Sequence, residues 1–227
     1  QDGKKMSKRL QNYPEPDLVV DQYGADALRY YLLTSPVMAA ETLNFSESGV
    51  KEALQKNIML ISNVLSFYKM YQAGKSQIAN HKSPENILDQ WILAKLNVLI
   101  KEVTERMEMY DLVKATRPLS EFINQLSTWY LRRSRQRFKD GDQNGIDILG
   151  FVLLEFSKII APFMPFIAED IYKQIGGQKE SVHLESWPTF AKASAGDTKI
   201  LEEMDLARDI VEKGLAARAE KGIKIRQ

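Results

Sequence analysis

The 227-residue sequence has no cysteine, which excludes disulfides, a thiolate nucleophile and any zinc site built on Cys. Its two histidines, His81 and His183, are too few for a metal site of their own, and none is expected. No apolar run approaches the ~20 residues of a membrane helix, and no basic-then-apolar leader is present. Nor does charge of one sign dominate. With 31 basic residues against 30 acidic ones, affinity for a polyanion has to come from local clustering. The expectation is a cytoplasmic, monomeric protein that makes no membrane contact.

What is present is the composition of a packed chain, 44% hydrophobic and 27% charged, with enough residues for one or two domains. It opens on Gln1, and its first methionine, Met6, lies inside a basic stretch, so it reads as part of a longer protein. Beyond the two prolines of Asn12-Tyr13-Pro14-Glu15-Pro16, an extended connector, the periodicity is helical. Asp17 is expected to cap a short helix over 18–22, and a second runs through Leu28, Tyr31 and Leu32 to Ser35-Pro36. Ser46 offers an N-cap to a long helix whose stripe is Val50, Leu54, Ile58, Ile61, Leu65 and Tyr68.

A polar stretch, 73–82, reads as a hairpin tip, and Ser83-Pro84 as the start of the next helix, with Leu88, Ile92, Leu96, Leu99, Val103 and Met107 inward. Asp111 is placed to cap a third long helix, inward at Leu112, Ala115, Leu119, Phe122, Leu126 and Trp129, with a kink expected at Pro118. The run 146–160 is apolar on most sides, as a central helix would be, and a further helix stops at Gly176-Gly177. Residues 181–188 read as an extended strap and 191–198 as a linker. Asp197 is expected to cap a last helix that turns Leu201, Met204, Ile210, Val211 and Leu215 inward. Long helices with short connections make an antiparallel helical bundle.

Two constellations carry chemistry. Lys4, Lys5, Lys8 and Arg9 form a glycine-preceded basic loop, which suits either a phosphate or plain solvation. Arg132, Arg135 and Lys139 share one helical strip, with Arg133 and Arg137 on an adjacent one and Trp129 bordering both. That surface either solubilises a helix C-terminus or grips nucleic-acid phosphates. Trp129 continues the stripe from Leu126, which favours the core, as does the position of Trp91 beside Ile92; Trp187, before Pro188 in the strap, is less constrained. His183 has no carboxylate partner at a useful spacing, and Asp26 and Glu41 read as caps or ion-pair partners.

The order of these features resembles the class I aminoacyl-tRNA synthetases, their isoleucine-specific members most of all. The family's signature loop, Lys-Met-Ser-Lys-Ser, is matched by Lys5, Met6, Ser7 and Lys8, with Arg9 where many members have serine. The likeness extends along the chain through Tyr23-Gly24-Ala25-Asp26-Ala27-Leu28-Arg29, Leu43-Asn44-Phe45-Ser46-Glu47, Trp129-Tyr130-Leu131-Arg132-Arg133-Ser134-Arg135, Ala161-Pro162-Phe163-Met164-Pro165-Phe166 and the closing Gly222-Ile223-Lys224-Ile225-Arg226-Gln227.

The resemblance implies a mainly α fold. Residues 1–45 would be the signature loop and a helical connector, 46–180 an antiparallel anticodon-binding bundle, and 181–227 the strap, linker and last helix. It implies ATP, with Mg2+, held by Lys5, Met6, Ser7, Lys8 and Arg9, of which Lys5 and Lys8 are catalytic. It implies isoleucine and tRNA(Ile) as the other partners, with Trp129, Arg132, Arg133, Arg135, Arg137 and Trp187 on the tRNA. The family's nucleotide-binding sheet, its His-Ile-Gly-His stretch and its editing domain have no match here, so the chain alone is expected to be inactive. The alternatives are a valine, leucine or methionine relative, or a non-enzymatic helical module that binds RNA or protein.

Overall fold

A computed structural model describes residues 14–72, 83–190 and 195–223. The expected signature loop, Lys5 to Arg9, and the 73–82 tip lie outside the described residues. Within them the chain is helical and forms no strand.

The connector is a pair of short helices, α1 (Pro16–Tyr23) and α2 (Ala25–Leu33), joined at Gly24, whose φ of 84° is open to glycine. Asp17 does not cap α1. Glu15 holds the N-cap position and Pro16 the first helical one, where its missing N–H costs nothing, so Asp17 falls in the first turn. Val19, Ala27 and Val50 form a small core here, flanked by Tyr31 and Phe45, whose rings meet edge to face at 5.5 Å.

One continuous helix, 47–71, follows as α3 (Glu47–Ala53), a π turn (Leu54–Met59) and α4 (Leu60–Tyr71). Ser46 caps it, its hydroxyl accepting from the Gly49 N–H at 3.4 Å. Helix α5 (Ile87–Glu108) begins later than Ser83-Pro84 suggests, because Asn86 takes the cap, its side-chain oxygen accepting from the Leu88 N–H at 2.9 Å. Asp111 caps α6 (Leu112–Asn124) from the Lys114 N–H at 3.2 Å. The helix passes Pro118 without ending and runs through a second π turn (Gln125–Leu131) into α7 (Arg132–Lys139).

Helix α8 (Gln143–Ile160), capped by Asp142, is the buried centre of the bundle. Gly150 lets it approach α4, since a Cβ there would lie 2.8 Å from the Tyr68 hydroxyl. Helix α9 (Pro165–Ile175) ends at Gly176 in the left-handed conformation, with the Gly177 N–H bonded to the Tyr172 carbonyl at 3.0 Å. The strap is not wholly extended, because Ser181 caps a single 3-10 turn over Val182–Leu184.

The last helix, α10 (Ala195–Glu220), starts before Asp197, which lies in its first turn. Ile200 and Met204 pack into the bundle and Leu201 is half-buried, but Ile210 (61% exposed), Val211 (38%) and Leu215 (45%) are not inward. From Asp209 to Ala217 every residue of α10 is exposed, so among the described residues nothing covers this part of the stripe.

Candidate nucleic-acid interface

The basic face is set by a phase shift in the helix that bears it. A straight α-helix continued from Leu126 would turn Arg133 toward the core. The π turn over Gln125–Leu131 adds residues to its turns, and each extra residue rotates the downstream helix by roughly 100°. Ser134 and Phe138 therefore face inward, and Arg132, Arg133, Arg135 and Lys139 stand exposed.

Arg137 is different. Its guanidinium reaches into the bundle and donates to both carboxylate oxygens of Asp89, at 2.7 Å from Nη1 and more closely from Nη2. Nη1 also meets Asp142 at 2.7 Å, and Nη2 the Ser134 hydroxyl at 3.2 Å. Asp89, 2% exposed on α5, accepts in addition from the Tyr130 hydroxyl at 2.6 Å. Burial lowers the Arg137 pKa, but hydrogen bonding to Asp89 and the charges around it outweigh that and hold it above its usual value. Burial, then the Asp89 charge, pushes the Tyr130 hydroxyl well up. Arg137 thus fastens the end of the basic helix to α5 and to the cap of α8; its Nη1 and Nη2 groups are turned to partners inside the protein, while its buried Nε finds none among the described residues.

Trp129 sits half-buried beneath Arg133, whose guanidinium carbon lies 3.5 Å from the ring centroid. Its indole N–H donates to the Met204 sulfur at 3.2 Å, and Arg208 lies 5.8 Å from the same ring. Trp187 is held apart from this group, its indole N–H donating to the Thr104 hydroxyl at 2.8 Å near the far end of α5. Trp91 is core. His183 is exposed on the strap. The structure therefore brings Trp129 and Arg133 together, leaves Arg132 and Arg135 beside them on the surface, and separates Arg137 and Trp187 from them.

The second feature joins connector to bundle. Asp26 of α2 accepts from the N–H groups of Phe166 (3.3 Å) and Ile167 (2.7 Å), and so caps α9, which has no side-chain cap of its own. Burial pushes the Asp26 carboxyl up, against the opposing pull of those two N–H groups. Arg29 donates to the Pro162 carbonyl at 2.9 Å. On the next turn the Tyr30 hydroxyl lies 2.8 Å from the Thr116 carbonyl and 2.7 Å from the Ser120 hydroxyl, which donates to Asn57 at 2.6 Å. Burial pushes the Tyr30 pKa up to about 12. Sequence reasoning left Asp26 as either a cap or an ion-pair partner, and missed Asp89. The only signal for either was an acid on an otherwise apolar helix face.

Among the described residues no group of three or more His, Asp or Glu is placed to hold a metal ion, and no helix is long and apolar enough to cross a membrane.

The family model for the anticodon-binding domain of tRNA ligase matches residues 89–227, and the one for class I tRNA synthetases (I, L, M and V) matches residues 1–44. All of the chain aligns with isoleucine–tRNA ligases, at 43% identity in Chlamydia trachomatis serovar D and 40% in Protochlamydia amoebophila. It spans 23% of the length of each. A solved LeuRS–tRNA–LeuAMS ternary complex from Agrobacterium radiobacter K84 superposes with a TM-score of 0.61 at 25% identity, over 88% of this chain and 23% of that one.

Proposed function

Since this chain belongs to the anticodon-binding domain family of tRNA ligases, we propose that it is the part of an isoleucine–tRNA ligase that grips the anticodon arm of tRNA(Ile). The whole enzyme activates isoleucine with ATP and Mg2+ and transfers it to that tRNA, working in the cytoplasm as a monomer. The likeness to isoleucine–tRNA ligases along the full chain supports the choice of amino acid. The loop at Lys5, Met6, Ser7, Lys8 and Arg9 is where the class I family model matches, and its lysines suit the phosphates of ATP as a substrate.

The observation that carries the tRNA reading is the exposed set Arg132, Arg133 and Arg135, turned outward by the π turn and anchored by the inward Arg137. Guanidinium groups that make no ion pair with a described residue suit phosphate oxygens, whereas Arg137 is a positioning residue. The connector clamp at Asp26 and Arg29 supports a fixed geometry between the signature loop's end of the chain and this face.

The test is tRNA binding as a function of salt. Arg132→Ala with Arg135→Ala should weaken binding and lower the slope of log K against log salt by about one per arginine. An unchanged slope sinks the assignment.

A further inference from the structure

We propose that Arg133, laid flat on Trp129, is a stacking platform for one unpaired nucleobase of the bound tRNA. This rests on the reading of the basic face as a tRNA surface and adds a contact that reads a base instead of a phosphate.

The geometry fixes the guanidinium plane. Its carbon lies 3.5 Å from the ring centroid. Each nitrogen is about 1.3 Å from that carbon, so an edge-on group would drive a nitrogen into the ring. The guanidinium is therefore roughly parallel to the indole. The half-buried indole is held from its far edge, where its N–H donates to the Met204 sulfur at 3.2 Å on α10. Arg133 is exposed and makes no ion pair with a described residue.

A guanidinium donates hydrogen bonds in its own plane. Pinned flat, Arg133 points its donors sideways and presents its outer π face to solvent. A phosphate needs the edge, whereas a base needs the face, and unstacked bases lie on arginine planes as they do on aromatic rings. Among the described residues no ring lies beneath Arg132, and Arg135 lies 5.8 Å from the Phe67 ring, so both are freer to turn an edge toward phosphates. Trp129 is thus not itself the platform. Its ring is the support, and the cation on top is the surface a base meets.

The experiment measures binding of the full-length enzyme to tRNA(Ile) transcripts with single abasic sites placed through the anticodon loop. With the unaltered protein, one abasic position should cost about tenfold in affinity. Arg133→Lys keeps the charge and loses the plane. It should lose about tenfold on the intact transcript and nothing further on that one abasic transcript. Arg133→Gln, flat but uncharged, should recover part of this coupling and leave the salt slope near that of the unaltered protein, since the group it replaces meets a base and not a phosphate. Equal loss for Arg133→Lys on every transcript, or no loss on any, overturns the platform. If that happens while Arg132→Ala still lowers the salt slope, only the platform falls. If the slope is also unchanged, the tRNA reading falls with it.

Discussion

Removing the Asp89 carboxylate should unfold this chain more readily than any change on its basic surface. Asp89→Ala takes away the acceptor for the Tyr130 hydroxyl and for two Arg137 nitrogens at a site where Asp89 itself is 2% exposed. Breaking a buried pair in this way costs ~3–5 kcal/mol, because the remaining charge stays desolvated. Arg137 keeps Asp142 at 2.7 Å, and that partner is 33% exposed, which places the loss near the lower end, ~3 kcal/mol. With a urea m-value of ~2–3 kcal/mol/M for a chain of this size, the unfolding midpoint should fall by about 1–1.5 M at unchanged m. Asp89→Leu with Arg137→Met, which removes both charges, should cost less than Asp89→Ala alone. A midpoint shift under about 0.3 M for Asp89→Ala would refute the reasoning. So would a double variant as unstable as the sum of its parts. The same pair bears on function. Arg137→Met should leave the salt slope of tRNA binding unchanged, since its guanidinium meets carboxylates; a slope lowered by about one would put it on a phosphate.

Tyr30 should make the joint between connector and bundle sensitive to alkali. Its pKa is raised from 10.0 to about 12 in the folded chain, so the stability it lends is complete below pH 10 and is lost as pH climbs toward 12. Tyr30→Phe should remove that loss from the pH dependence of unfolding, and an identical alkaline profile in the variant would contradict it. Asp26→Ala, which uncaps α9, should cost ~1–2 kcal/mol in thermal or urea unfolding, and Asp26→Asn less, since one acceptor remains. In the full-length enzyme Lys8→Ala should slow isoleucine-dependent pyrophosphate exchange roughly a hundredfold with little change in isoleucine affinity. Exchange at the unaltered rate would remove Lys8 from the ATP site.

The local helix signals were legible because they depend on near neighbours. Ser46 and Asp111 cap the helices they precede, and the stripes from Val50 to Tyr68 and from Ile92 to Val103 are inward. Where two caps compete within a few residues, the local reading failed. Asn86 displaced Ser83, and Pro16 made Asp17 unnecessary. The basic cluster itself, Arg132 to Lys139, was also visible as a run of residue types.

Which of those arginines faces outward was not. A constant 3.6-residue period cannot register the π turn at Gln125–Leu131, and that turn decides that Arg133 lies on Trp129 while Arg137 enters the bundle. The Asp26 cap on α9 spans 140 positions in the chain, and Asp89 meets Arg137 across 48. The outer half of α10 carries an apolar stripe continuous with its buried half, yet Ile200 and Met204 are buried while Ile210, Val211 and Leu215 are exposed, a difference set by packing and not by the local pattern. By itself the sequence determined the helices, the caps at Ser46 and Asp111 and the cluster of cations, all of which depend on residues within a turn or two. Only the tertiary structure decided which cations are free, which are bound, and what holds them in place, because those outcomes depend on helical phase and on partners distant in the chain.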